Sequence, residues 1–147
     1  PDMQNAMLLK TVLKKEIISM RLLRVHFLCG VLKRRLKMIT INIANEYTKT
    51  PGGRFKSEGD FSGEDFRDSI LIPKYLEAVK QNQLLCINLD GGYGYGSSFL
   101  EEAFGGLVRK INKVDISVIN IISDEEPQLK LDIMKYLKDA LKVREEK

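Results

Sequence analysis

The chain has 147 residues, 44% of them hydrophobic and 30% charged, with one histidine and two cysteines. That length suits one domain with a short appendage and a core needing neither disulfides nor metal. A lone His26 excludes a Cys/His zinc site and any histidine-based catalytic triad in the domain. The net charge of +4 is uneven: residues 1–37 carry nine Lys and Arg against Asp2 and Glu16, a local +7. The other 110 residues carry 15 basic and 18 acidic side chains, a local −3, so the basic pI is no argument for nucleic-acid binding by the domain.

Residues 6–36 interleave Leu, Ile, Val and Met with Lys and Arg and hold no proline, which predicts helix. The apolar stretch from Ile17 to Leu32 is broken by Arg21 and Arg24 and is too short to span a bilayer. Three readings of this basic helical arm, 1–37, stand side by side. It contacts membrane or nucleic acid, it packs on the domain or on a second copy, or it is a segment appended ahead of a start at Met38. Cys29 and Cys86 form no CxxC motif, and Cys86 lies in an apolar run as a small buried hydrophobe. This cysteine usage, with no clear secretion signal, favours a cytoplasmic location.

From Met38 the pattern changes to that of an α/β domain, 38–147. Ile39, Ile41 and Ile43 alternate with Thr40 and Asn42, the period of a half-buried strand. A polar loop follows from Thr48 to Ser62, and Ser62 with Asp65 predicts a helix start of capping-box type. That helix should run toward Gln81 and be kinked or divided at Pro73. Leu84 to Leu89 reads as a central strand covered on both faces. A glycine-rich turn, 91–96, leads into a second helix from Ser97 or Ser98, with Leu100, Ala103, Phe104, Leu107, Val108 and Ile111 as its apolar stripe. Ile116 to Ile122 is another buried strand, and Ser123 with Glu126 should cap a last helix that has Pro127 in its first turn. Strand and helix alternate, so the expected fold is a mostly parallel sheet of about four strands packed on about three helices.

Chemistry is best sought where the second strand ends at Asp90. Gly91, Gly92, Gly94 and Gly96 let the backbone come close to another group, at the carboxyl end of a strand where open α/β sheets place their sites. Ser97 and Ser98 at the following helix start have two readings. Either Ser98 caps the helix with Glu101, or a phosphate there adds about −1.5 to −2 charges at a dipole-favoured position. Tyr93 and Tyr95 could stack on a ring, but turn tyrosines more often pack on the domain surface.

Earlier in the chain, Gly52 and Gly53 form a turn from which Arg54, joined by Arg67, can fork onto carboxylate or phosphate. Functionally, Arg54 and the 91–98 turn would line a ligand or partner pocket. Structurally, Arg54 or Arg67 would pair with Asp60, Glu64 or Asp90 to hold the loop. The glycines match neither a Walker loop nor the Rossmann spacing. Glu101 and Glu102 are adjacent on a helix, about 100° apart, and read as a solvated pair rather than as a catalytic acid and base. The chain therefore reads as a non-enzyme with no cofactor and no metal.

Two blocks carry a family likeness: Thr50 to Arg54 through Phe61 to Glu64 and Phe66–Arg67, and Gly94 to Gly106. On them, Met38 to Leu141 resembles a bacterial family of STAS-like domains of unknown function, related in shape to the anti-sigma-factor antagonists. The resemblance implies a regulatory, protein-binding module whose partner is a histidine-kinase-like ATPase or serine kinase. Ser98 then corresponds to the serine phosphorylated in the antagonists. The antagonist motif has Asp where this chain has Gly96, and Gly where it has Phe99. On this reading the partner surface takes in Asp90, Gly92, Tyr93, Gly94, Tyr95, Gly96 and Phe99. The alternative is a small-ligand or nucleotide-binding domain using the Gly-rich turn and Arg54.

Overall fold

A computed structural model describes residues 37–147. The expectations about the basic arm lie outside the described residues, apart from Lys37. Three strands, β1 (Met38–Asn42), β2 (Leu84–Asn88) and β3 (Ile119–Ile122), form one parallel sheet in the order β1-β2-β3. Among the described residues the count is thus three against the expected four or so, and the three apolar stretches legible in the sequence are these strands.

Between β1 and β2 come a single turn of helix, α1 (Ile43–Glu46), the long loop, and a helix α2 that spans 63–81. β1 stops at Asn42 because its side chain accepts from the Asn45 N–H at 3.1 Å, while Glu46 Oε1 accepts from the Asn42 N–H at 2.9 Å. Reciprocal capping therefore outweighs strand extension into Ile43. Ser62 caps α2, its Oγ accepting from the Asp65 N–H at 3.1 Å, but the reciprocal half of the expected capping box is replaced by the Tyr47 hydroxyl donating to Asp65 Oδ2. Pro73 does not divide α2. The chain widens into a π-helical stretch, Arg67–Leu71, just before the α-helical Ile72–Gln81, so the proline enters in the first turn of a fresh α-helical segment. The helix ends at Asn82, whose φ of 53° is left-handed.

Helix α3 spans 97–110 and repeats this construction, with α-helical Ser97–Leu100, π-helical Glu101–Gly105 and α-helical Gly106–Lys110. A 3₁₀ turn, Ile116–Val118, then precedes β3, because Asp115 Oδ1 accepts from the Ser117 N–H at 2.9 Å. β3 is accordingly shorter than the apolar run suggests. The last helix, α4 (Pro127–Glu145), has Pro127 in its first turn as expected. Ser123 does not cap it: its hydroxyl donates to the Glu126 carbonyl at 2.7 Å, and Glu126 is the N-cap. Arg144 near its other end donates to the carbonyls of Val108 (3.0 Å) and Ile111, holding α4 to the last turn of α3.

Strand order β1-β2-β3 with two parallel crossovers, which by general rule are right-handed, puts α2 and α3 on the same face of the sheet. Ile41, Leu85, Ile87, Ile119 and Ile121 alternate onto that face and join one core with Phe66, Tyr75, Phe99, Phe104, Leu107 and Ile133. The other face bears Met38 and Thr40 exposed, Leu84 and Asn88 half-buried, and Cys86 buried at its centre. Among the described residues α2 and α3 take one side, and burial of Cys86 on the other leaves the centre of β2 covered on both faces, as expected. Burial of Cys86 agrees with its reading as a small hydrophobe. Among the described residues, no helix is long and apolar enough to cross a membrane.

Candidate functional site

Parallel strands deliver all their carboxyl ends to one edge, and three loops meet there. The turn after β2 is pinned from both sides. Its Tyr93 N–H donates to the Lys49 carbonyl at 2.8 Å, and its Gly91 N–H donates to Glu125 Oε2 at 2.9 Å. The Glu125 N–H in return donates to Asp90 Oδ1 at 3.0 Å. Asp90 is thus a loop-bridging acceptor and Glu125 its counterpart, a residue that the sequence reading passed over. Gly91 and Gly94 adopt φ of 88° and 130°, where any side chain would be strained.

The two turn tyrosines differ. Tyr95 packs as expected: its hydroxyl donates to the Leu89 carbonyl at 2.9 Å and its ring lies 6.2 Å from that of Phe99. Burial first, then the nearby carboxylates of Asp90, Glu125 and Glu126, push its pKa up to about 12. Tyr93 is 80% exposed, so packing on the domain surface is the wrong description for it.

The capping reading of Ser98 is also corrected. Gly96 is the N-cap of α3, with no side-chain cap, and Ser97 and Ser98 are its first two helical residues. Ser97 is exposed and Ser98 half-buried. Neither hydroxyl bonds another described residue, and Glu101, the expected capping partner, faces other groups. Phe99 is fully buried and anchors this helix start in the core, which makes it a packing residue rather than an exposed contact.

The long loop is folded onto α2 and α3. The Gly52 N–H donates to the Phe61 carbonyl, the Gly63 N–H to the Gly53 carbonyl, and the Glu64 N–H to the Arg54 carbonyl, at 2.9, 2.9 and 3.0 Å. Glu58 Oε2 accepts from the N–H groups of Arg54 (2.6 Å) and Phe55 (3.2 Å). Gly63 touches the main chain of α3, where a Cβ would overlap the Phe99 carbonyl. Tyr47 closes the other side, its hydroxyl donating to Asp65 Oδ2 at 2.9 Å, and burial followed by that bond raises its pKa.

Arg54 and Arg67 do serve as ion-pair partners, though not of Asp60, Glu64 or Asp90. Arg54 Nη1 donates to Glu101 and lies 3.5 Å from Glu102 Oε2. Arg67, 3% exposed, donates through Nη1 to Glu102 and through Nε to Asp68 Oδ1 at 2.8 Å. Arg109, unmarked in the sequence, reaches both carboxylates, with Nη1 2.6 Å from Glu101 Oε1 and Nη2 3.2 Å from Glu102 Oε2. The two adjacent glutamates are therefore not a solvated pair. Three guanidinium groups surround them, and the buried Arg67–Glu102 contact bridges the two π-helical stretches. Gly106 makes room for it, since a Cβ there would lie 2.7 Å from Arg67 Nη1. With its guanidinium on Glu101 and Glu102, Arg54 is a loop clamp rather than an open anion receptor. A cleft of about 250 Å³ beside this cluster, between α3 and α4, is lined by Glu101, Arg109, Tyr136, Asp139, Ala140 and Val143.

The charges respond accordingly. For Glu101, burial pushes the carboxyl up, but the bonds from Arg109 and Arg54 outweigh it and hold it below the ordinary value. For Asp68, the Arg67 bond is the largest influence and also holds it low. For Arg67, burial disfavours the charge, yet Asp68 and Glu102 together raise its pKa. A carboxyl whose folded pKa is depressed contributes stability above its unfolded pKa, near 4, and loses that contribution as pH falls through the folded value. The melting temperature should therefore drop from pH 5 to pH 3, and Glu101→Gln should shallow that slope, read by scanning calorimetry at each pH.

Comparison with curated proteins gave no match, and comparison with solved structures gave none. Residues 62–126 match the model of a family described as a STAS-like domain of unknown function (DUF4325). The match runs from the Ser62 cap through α2, β2, the glycine turn, α3 and β3 to Glu126, the N-cap of α4. It holds the Gly94–Gly106 block and the end of the earlier one, while Thr50 to Arg54 lies ahead of it. This segment is thus similar to the STAS-like family, in agreement with the resemblance carried by the Gly94–Gly106 block.

Proposed function

We propose that the domain is a regulatory module, cytoplasmic in location, that binds a protein partner through the Gly91–Phe99 turn and the start of α3. One observation carries this reading. Tyr93 stands 80% exposed on a turn that Lys49 and Glu125 hold in place, two helical serines with unengaged hydroxyls follow it, and Phe99 locks the helix start to the core. A large aromatic displayed on a fixed turn supplies contact area without an ordering cost, which suits recognition of another protein.

By its family likeness, the partner is a histidine-kinase-like ATPase or a serine kinase, and Ser98 is the residue it modifies. Phosphorylation there would set about −1.5 to −2 charges in the contact surface. At the start of α3, in the contact surface, that charge would favour release of an acidic partner surface.

Intact-mass analysis after incubation with ATP and host lysate should show one added phosphate in the wild type and none in Ser98→Ala. Ser98→Glu should weaken binding of the kinase so identified about tenfold. Tyr93→Ala should weaken it by a similar factor at unchanged melting temperature, both read by titration calorimetry. Equal affinity of the wild type and Ser98→Glu would end the switch reading; equal affinity of Tyr93→Ala would move the interface elsewhere.

A further inference from the structure

Arg54 can leave Glu101 and Glu102 without stranding either carboxylate. Glu101 keeps Arg109 at 2.6 Å, and Glu102 keeps both Arg67 and Arg109. Nor does the long loop need the Arg54 side chain to hold its place there. The Arg54 N–H donates to Glu58 Oε2 at 2.6 Å, and its carbonyl accepts from the Glu64 N–H at 3.0 Å. The main chain is thus fixed, while the side chain is 33% exposed and can swing about a stationary Cα.

Helix geometry sets where it can go. Nη1 donates to Glu101 Oε2 and lies 3.5 Å from Glu102 Oε2, so the guanidinium sits on the strip of α3 between them. Ser98 precedes those residues by three and four positions, on the same strip and one turn nearer the helix start. One turn is about 5.4 Å along the axis, within the reach of an arginine side chain. Arg109, seven and eight positions after the glutamates, reaches them from the opposite end. The loop also passes close to the serine. The Gly63 N–H donates to the Gly53 carbonyl, and Gly63 touches the main chain of Phe99, the residue after Ser98.

We propose that Arg54 is the receptor of a phosphate on Ser98: the guanidinium leaves Glu101 and Glu102 and clasps the phosphate, while Arg109 and Arg67 retain the two glutamates. This role rests on the phosphorylation of Ser98 proposed above, in which the γ-phosphoryl group of ATP passes to the Ser98 Oγ and ADP and a proton leave. In the unmodified chain the two glutamates close Arg54 to free anions. An anion joined covalently one turn away competes at a far higher effective concentration. With about −1.5 to −2 charges and three acceptor oxygens, it outbids a single carboxylate and takes the guanidinium through two parallel bonds. Arg54 then changes from a clamp on the middle of α3 to a clamp on its first turn. The long loop thereby registers the modification along with the partner surface.

The test uses the full chain with phosphoserine installed at position 98 during translation, so it needs no kinase. Phosphorus NMR then titrates the phosphate, whose second ionisation lies near pH 6 with no cation beside it. With Arg54 in place that value should fall to about 5, the effect of an opposite charge within a few ångströms. Arg54→Gln should return it most of the way, and Arg54→Lys should keep only part of the effect, since an ammonium lacks the fork. Exchange of the Glu64 amide should change less than about threefold in Arg54→Gln, as its main-chain anchor remains. In the unsubstituted chain, guanidinium protons of Arg54 should correlate with phosphorus across the hydrogen bond, a readout that needs no variant to fold. A phosphate ionising near pH 6 beside Arg54, or a lowered value that Arg54→Gln leaves unchanged, would overturn the proposal. An effect abolished by Lys49→Gln instead would overturn it in favour of that exposed lysine, whose carbonyl holds Tyr93. Failure of the kinase reading shows separately, as no phosphate on the wild type after lysate treatment.

Discussion

Replacing Arg67 with alanine should cost about 3–5 kcal/mol of folding stability, because it strands the Glu102 carboxylate inside the protein without its main partner. Arg67 is 3% exposed, and Glu102 faces it across the two π-helical stretches. Domains of this size are stable by about 5–15 kcal/mol, so the variant stands near the edge of folding at 25 °C. Arg109, which reaches Glu102 from the exposed side, offsets only part of the loss. Urea titration of wild type and Arg67→Ala measures the difference. A double variant, Arg67→Met with Glu102→Met, should recover most of it, since removing both charges removes the desolvation penalty as well as the attraction. Arg67→Lys should recover little, because a single ammonium cannot serve Glu102 and Asp68 together as the guanidinium fork does. A loss below about 1 kcal/mol for Arg67→Ala would mean that water reaches Glu102 as freely as at a surface pair.

Phe66→Ala should cost a comparable amount, about 3–5 kcal/mol, the usual range for deleting a buried ring. The ring is fully buried, 5.3 Å from that of Tyr47 and 5.9 Å from that of Phe99. It therefore joins the loop after β1 to the start of α3, and its removal should act on the site as well as on stability. Amide exchange at Phe99 and Leu100 should quicken more than exchange at Ile133 in α4, whereas Tyr93→Ala should change global stability by less than about 0.5 kcal/mol. If exchange rises equally throughout, Phe66 supports the whole core and gives no special support to the helix start.

Much of the fold was legible because it depends on local periodicity. The alternation around Ile39 and Ile41, the apolar run of β2 and the stripe of α3 locate the main elements, and Ser62 with Asp65 marks the start of α2. Local capping was only partly legible. Ser98 with Glu101 and Ser123 with Glu126 have the spacing of capping boxes, yet neither forms one. Spacing shows that a cap can form but not what else competes for its carboxylate, and Arg54 and Arg109 hold Glu101.

Sequence alone determined an alternating strand and helix domain, a glycine turn at the end of β2, and a family likeness carried by Gly94 to Gly106. Each of these is written within a few neighbouring residues. Tertiary structure alone decided which residues serve the charged cluster and which strand lies at the centre of the sheet. Arg54 meets Glu101 across 47 residues and Arg67 meets Glu102 across 35, separations at which no periodic signal survives. The strand order β1-β2-β3 likewise emerges only when the crossovers are packed, and it seats β2 at the centre, paired on both sides.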